Sequence, residues 1–301
     1  MATVRRRTFP LVPRHRLSGI AFGTQRSTRR GQGAEVAGSR PYVPGDRIAW
    51  IDWKASARIS AARNQDEFVV REYFAEEAPR VIIVHDRRPA MGLYPAAFPW
   101  LSKPAAVREA ATVIVASALA TRGVIGCSDF AGEPVWIPPH GRVQRPREPT
   151  AFDAPEDTLV RALEHLSRLR ADVPSGSFVF VLSDFLAPPP DECWLRARAR
   201  RWDVVPVIVQ DPLWEQSFPD LHGLVVPVAD PATGSVTPVR LTARDVRARR
   251  TANEARLAAL LARFRELRLD PVLLGTSDPA TIDAEFGAWA ARRRLLRERS
   301  R

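Results

Sequence analysis

Two carboxylates stand at positions where chemistry is expected. Asp86 follows the run RVIIVH, and Asp184 follows FVFVLS. Runs apolar throughout mark strands buried on both faces of a parallel sheet, and doubly wound sheets bind ligands outside the carboxyl ends of such strands. His85, beside Asp86, has the side-chain type of a general base. The remaining histidines, His15, His140, His165 and His222, show neither H-x-x-x-H nor H-E-x-x-H spacing. The chain contains no G-x-S-x-G elbow and no G-x-x-x-x-G-K-[ST] phosphate loop. Gly31-Gln32-Gly33 lacks the preceding strand and following helix of a nucleotide fingerprint, and a tight turn is expected there. Cys127 and Cys193 lie far apart without metal spacing and read as ordinary thiols. No catalytic constellation is recognised, and no cofactor is expected.

The elements that must position Asp86 and Asp184 alternate along the chain. Strands are expected at 68–73, 80–85, 123–130, 178–183, 204–209 and 271–274, with 134–138 as a partner to the third. Helices are expected at 103–121, 153–170, 191–201, 243–268 and from 279 onward. Leu224–Val228 and Val236–Leu241 read as a hairpin around Asp230-Pro231-Ala232-Thr233-Gly234. This alternation predicts a doubly wound α/β sheet. An irregular, β-containing N-terminal region spans 1–78, and the α/β domain spans 79–301.

The 301 residues suffice for a large core. No run of about 18 apolar residues exists, so no membrane span is expected. The N-terminus is basic but lacks the apolar stretch of a secretory signal, which predicts a cytoplasmic protein. The net charge of +11 is concentrated at the two ends, with an acidic balance between them. Such asymmetry steers a protein toward acidic partners, phosphate backbones or an anionic membrane surface. Only Lys54 and Lys103 are lysines, however, and the arginine-, alanine- and proline-rich composition fits a GC-rich genome. No recognisable nucleic-acid module accompanies the charge, so nucleic acid is not the expected partner.

The stretch Gly23–Glu72 is the most specific in the chain. Tyr42-Val43-Pro44-Gly45-Asp46 carries a turn signal, since proline presets φ and glycine tolerates positive φ. Asp52, between Ile51 and Trp53, is expected to be partly buried and paired, with Arg40, Lys54 and Arg58 the nearest cations in sequence. Trp53 is expected in the core. The segment resembles the signature of the bacterial family called domain of unknown function 58. There a G-x-G-x-E-F block leads into R-x-Y-x-P-G-D and I-D-W-x-x-x-A-R, matched here by Gly31, Gly33, Glu35, Arg40, Tyr42, Pro44, Gly45, Asp46, Ile51, Asp52, Trp53, Ala57 and Arg58. Val36, Arg47 and Ala49 depart from the pattern. The resemblance extends from Gly23 to about residue 296.

The second half of that family is similar to von Willebrand factor A domains. In these a D-x-S-x-S loop after the first core strand supplies oxygen ligands to a divalent ion, and a later acid completes the site. Here the loop reads Asp86-Arg87-Arg88-Pro89-Ala90-Met91. Arg88 and Ala90 replace both serines, so loss of metal binding is expected at Asp86, Arg88, Ala90 and Asp184. The Arg88 guanidinium is expected to bridge Asp86 and Asp184, its planar fork suiting carboxylates; alternatively, Arg87 and Arg88 both face solvent.

The resemblance implies a non-catalytic interaction protein, an adaptor that works with a MoxR-type AAA+ ATPase in assembling or activating client proteins. Tyr42, Trp50 and Trp53 are its candidate anchors, since aromatics dominate interface energetics. Two other readings stay open. One is a basic protein that binds nucleic acid or touches an anionic membrane peripherally. The other is a hydrolase built on Asp86, Asp184 and His85.

Overall fold

The computed structural model describes residues 8–14, 20–93, 100–141, 148–149, 151–230 and 233–299, with the backbone alone for 20–37 and 73–77. The basic residues 1–7, His15 and the side chain of Glu35 lie outside it. In chain order the elements begin with β1 (Ile20–Pro41), a 3-10 turn at Ile48–Trp50, α1 (Trp53–Arg63), β2 (Val69–Ala78) and β3 (Arg80–His85). There follow α2 (Lys103–Ala120), β4 (Val124–Phe130), β5 (Pro134–His140), α3 (Thr158–Arg168) and β6 (Phe178–Ser183). The chain continues through α4 (Asp191–Ala199), β7 (Asp203–Val209), the pair β8 (Val225–Ala229) and β9 (Val236–Arg240), and α5 (Ala243–Glu266). It closes with β10 (Val272–Leu274) and α6 (Pro279–Arg299). No helix among the described residues is long and apolar enough to cross a membrane.

Six strands form one sheet in the order β10-β7-β6-β3-β4-β5. All pairs are parallel except the edge pair β4–β5. The alternation of side chains in apolar strands explains how both faces are filled. Val81, Ile83, Phe178, Phe180 and Leu182 enter one core, beside α2 and α6. Ile82, Val84, Val179 and Val181 enter the other, beside α3, α4 and the end of α5. This is the doubly wound, mostly parallel α/β layer that the alternation predicts. From β3 the chain steps to β4 on one side, while β6 lies on the other. The ends of β3 and β6 therefore flank the topological switch point, where a crevice opens in such sheets.

The N-terminal part corrects two expectations. Gly31-Gln32-Gly33 is not a tight turn but lies within β1, beside a register shift against β2 between Gly31 and Val36. The IAWIDW run makes a 3-10 turn and then the N-cap of α1. Its capping group is the Asp52 carboxylate, which accepts from the Ala55 N–H at 3.1 Å, as short acidic side chains do at helix starts.

The second correction concerns the boundary at residue 79. Residues 9–12, far upstream of it, belong to the α/β core. Phe9 is buried and stacks on Phe286 at 4.9 Å between centroids, with Trp289 edge-on at 5.6 Å. Its N–H donates to Ser117 Oγ at 3.0 Å. Full burial of such a ring is worth roughly 1.5–3 kcal/mol. The chain thus begins as a strap across the α2–α6 face before it leaves to form β1.

Candidate functional site

At the switch point the expected bridge is present, in richer form. Arg88 wraps Asp86: its N–H donates to Oδ1 at 2.9 Å, its Nε lies 3.1 and 3.0 Å from the two oxygens, and Nη2 reaches Oδ2 at 2.5 Å. The same Nη2 lies 3.4 Å from Asp184 Oδ1. Nη1 donates to the Ala187 carbonyl at 3.0 Å, just beyond β6. Ser183 Oγ donates to Asp86 Oδ2 at 2.6 Å and accepts from the Phe185 N–H at 2.9 Å. Burial opposes the Arg88 charge, but Asp86, Asp184 and Glu156 outweigh it and hold its pKa above the ordinary arginine range. The alternative, Arg87 and Arg88 facing solvent, is not what the chain adopts, since both are buried.

Sequence reading missed the second cation. Lys103, at the start of α2, is 0% exposed. Its Nζ donates to Asp184 Oδ2 at 2.8 Å and to Glu215 Oε1 at 2.6 Å. Glu215 follows β7, and its Oε2 accepts from the Asp211 N–H at 2.8 Å. Burial pushes the Glu215 carboxyl above its usual range, with Lys103 and the Asp211 N–H pulling it back. A signal did exist: in a chain whose cations are otherwise arginine, Lys103 is one of two lysines. A compact ammonium fits a closed site that a guanidinium fork would overfill.

These residues do not fit a divalent ion. Ala90, in the 3-10 turn Pro89–Gly92, offers no side-chain oxygen. Among the described residues, no group of three or more His, Cys, Asp or Glu is placed to hold a metal. A dication about 4 Å from either fixed cation would meet roughly 8 kcal/mol of repulsion at an effective dielectric of about 20. His85, Asp86 and Asp184 are all buried.

The signature residues gather elsewhere, around α1. Asp52 pairs not with Arg40, Lys54 or Arg58 but with Arg71 on β2, Nε to Oδ2 at 2.8 Å. Arg40 instead clamps Asp46 through two bonds of 2.7 and 2.6 Å. Asp46 also accepts from the Val43 N–H at 2.9 Å, closing a turn in which Gly45 holds φ +105°. Arg40 and Arg71 hold the Asp46 and Asp52 carboxyls below the usual range. Two serines one helical turn apart then fasten α1 to the chain entering β2. Ser56 Oγ donates to the Asp52 carbonyl at 2.8 Å and accepts from the Val69 N–H at 2.9 Å. Ser60 Oγ accepts from the Glu67 N–H at 2.9 Å.

This frame carries an apolar surface. Trp53 is 59% exposed rather than in the core, and it meets Phe68, 45% exposed, edge-on at 5.9 Å. The Tyr42 ring also meets Phe68 edge-on, with centroids 6.5 Å apart. Ile48 and Val43 are exposed nearby in sequence. An open groove of about 710 Å³, lined by Arg40, Tyr42, Ile59, Arg63, Asp66 and Phe68 among others, runs alongside. Arg47, Lys54 and Arg58 are exposed along the same segment, and the Arg47 guanidinium lies 5.4 Å from the Trp50 ring centre. Trp53, the first residue of α1, is exposed, whereas Ser56 in the same turn is buried. Of the matched signature, Gly31, Gly33 and Glu35 fall on β1.

A family model described as "Protein of unknown function DUF58" matches residues 38–259. No curated protein matches the chain. Among solved structures, the crystal structure of conserved hypothetical protein BatB from Bacteroides thetaiotaomicron is similar, with 15% identity and a TM-score of 0.38 over 71% of this chain and 99% of that one. The matched span contains both the α1 surface and the buried ion network, and leaves out the strap and α6.

Proposed function

Because the chain belongs to the DUF58 family, whose function is unknown, we propose that it acts through binding rather than catalysis, as an adaptor for a MoxR-type AAA+ ATPase and its client proteins. The observation that carries this reading is the exposed Trp53–Phe68–Tyr42 surface held on a rigid frame. Large aromatic groups left in water, fixed by the Arg40–Asp46 and Arg71–Asp52 pairs, are the material of interface anchors. Arg47, Lys54 and Arg58 add exposed positive charge along the same segment, while Asp46 and Asp52 have their charge taken up by Arg40 and Arg71. The complementary partner is an acidic protein face with an apolar recess. Cytoplasmic location belongs to the same proposal, as does the absence of a catalytic role; the burial of His85, Asp86 and Asp184 argues against the hydrolase alternative.

The test is recovery of partners on the tagged chain from nuclease-treated native lysate, with ATP supplied or withheld. The expected result is an AAA+ ATPase held in a nucleotide-dependent manner. Trp53→Ala should weaken it about 30-fold, the equivalent of roughly 2 kcal/mol for an anchor residue, without loss of thermal stability. Recovery that ignores both nucleotide and Trp53→Ala would overturn the reading. So would retention only of nucleic acid or anionic vesicles with the steep salt dependence of phosphate binding.

A further inference from the structure

We infer that the Arg88 guanidinium and the Lys103 ammonium together replace the divalent ion of a von Willebrand factor A-like sheet, so that this edge of the protein is assembled permanently and without metal. Three carboxylates converge here from three places: Asp86 after β3, Asp184 after β6 and Glu215 after β7. All three are buried. Uncompensated, their charges would not be tolerated together. A divalent ion is one solution, and two monovalent side chains are another with the same total charge.

The contacts show a division of labour between the two cations. Arg88 takes Asp86 and reaches Asp184 Oδ1, whereas Lys103 takes Asp184 Oδ2 and Glu215. Asp184 is therefore the shared centre, with a different cation on each oxygen. Two of these oxygens accept further bonds. Asp184 Oδ1 accepts from the Leu186 N–H at 3.0 Å, and Asp86 Oδ2 accepts from Ser183 Oγ. A metal entering this site would have to expel one cation and then find a coordination sphere without the two loop hydroxyls. The same pair ties four elements together: the β3 end, the β6 end, the α2 N-terminus and the segment after β7. The Gln210 side-chain amide, donating to the Asp184 carbonyl at 2.6 Å, adds a further tie between β6 and β7. This inference concerns the sheet edge alone and stands or falls independently of the α1 surface.

Manganese serves as the probe, since it takes the same oxygen ligands as magnesium and is read by electron paramagnetic resonance. In the full-length chain, millimolar Mn²⁺ should leave the free-ion signal undiminished, and neither Mn²⁺ nor a chelator should move the thermal midpoint. Arg88→Ser combined with Ala90→Ser restores both loop hydroxyls and removes one cation. That variant should bind Mn²⁺ and gain thermal stability from it, and adding Asp86→Asn should abolish both gains. If the double variant does not fold in chelator, refolding it with Mn²⁺ present gives the same reading. Binding of Mn²⁺ by the unaltered chain that Asp86→Asn abolishes would overturn the inference. A double variant indifferent to Mn²⁺ would overturn it as well, leaving the cluster an ordinary buried ion network.

Discussion

Arg293 grips Asp203 with two parallel hydrogen bonds, Nη1 to Oδ2 at 2.8 Å and Nη2 to Oδ1 at 2.7 Å, and both side chains are buried. Asp203 opens β7, and Arg293 lies on α6, so the pair closes the end of the sheet opposite to the Asp86–Asp184 network. The same guanidinium donates to the Val12 carbonyl at 3.1 Å and to Asp270 Oδ2 at 3.0 Å. The Arg14 N–H donates to Asp203 Oδ2 at 2.9 Å, and the Arg14 side chain forms an ion pair with Asp270. One arginine thus binds the start of the chain, its last helix and a central strand. Burial opposes its charge, yet Asp203 and Asp270 raise its pKa above the ordinary arginine range.

Removal of this arginine should therefore be costly. Arg293→Met leaves Asp203 buried without its counter-charge, and a loss of about 3–5 kcal/mol is expected in urea unfolding. The strap at residues 8–14 should also become open to proteolysis. Pairing the change with Asp203→Asn should restore part of the loss. A cost under about 1 kcal/mol would show that Arg14 and solvent can take over the role.

The serine between α1 and β2 gives a more local expectation. Ser56→Ala takes the acceptor away from the buried Val69 N–H, a change expected to cost about 1–3 kcal/mol. Hydrogen exchange at Val69 should accelerate, and the Trp53 fluorescence should shift as the frame loosens. Ser60→Ala, at a less buried point, should cost less. Equal effects of the two substitutions would contradict this ranking.

Glu215 gives stability a pH dependence with a defined sign. Its folded pKa lies above the unfolded value, chiefly because of burial. The stabilisation from its protonated form is therefore complete below the unfolded carboxyl value of about 4.3, and is lost as pH rises through the folded value. Glu215→Gln cannot ionise, so its stability should decline less than that of the unaltered chain as pH rises from about 4 toward neutrality. Urea unfolding across that range checks this. Parallel pH profiles for the two proteins would refute it.

What the sequence determined by itself was the α/β layer and the identity of the site's first residues. RVIIVH and FVFVLS announce their strands because a strand buried on both faces is apolar along nearly its whole length, a local property of six consecutive residues. Asp86 and Asp184 are legible for the same reason, standing where those runs stop. Arg88 was readable from its place in the loop. Pairing is different, because it depends on which distant segments arrive together. Asp52 found its cation 19 positions away on β2 rather than among its neighbours, and Lys103 meets Glu215 across 112. Trp53 looked like core by type, yet it stands exposed at the start of α1. Most remote of all, Val12 and Arg293 touch across 281 positions. Only packing, which sets side chains by proximity in space and not by order along the chain, could place Phe9 and Val12 inside the last helix's contact surface.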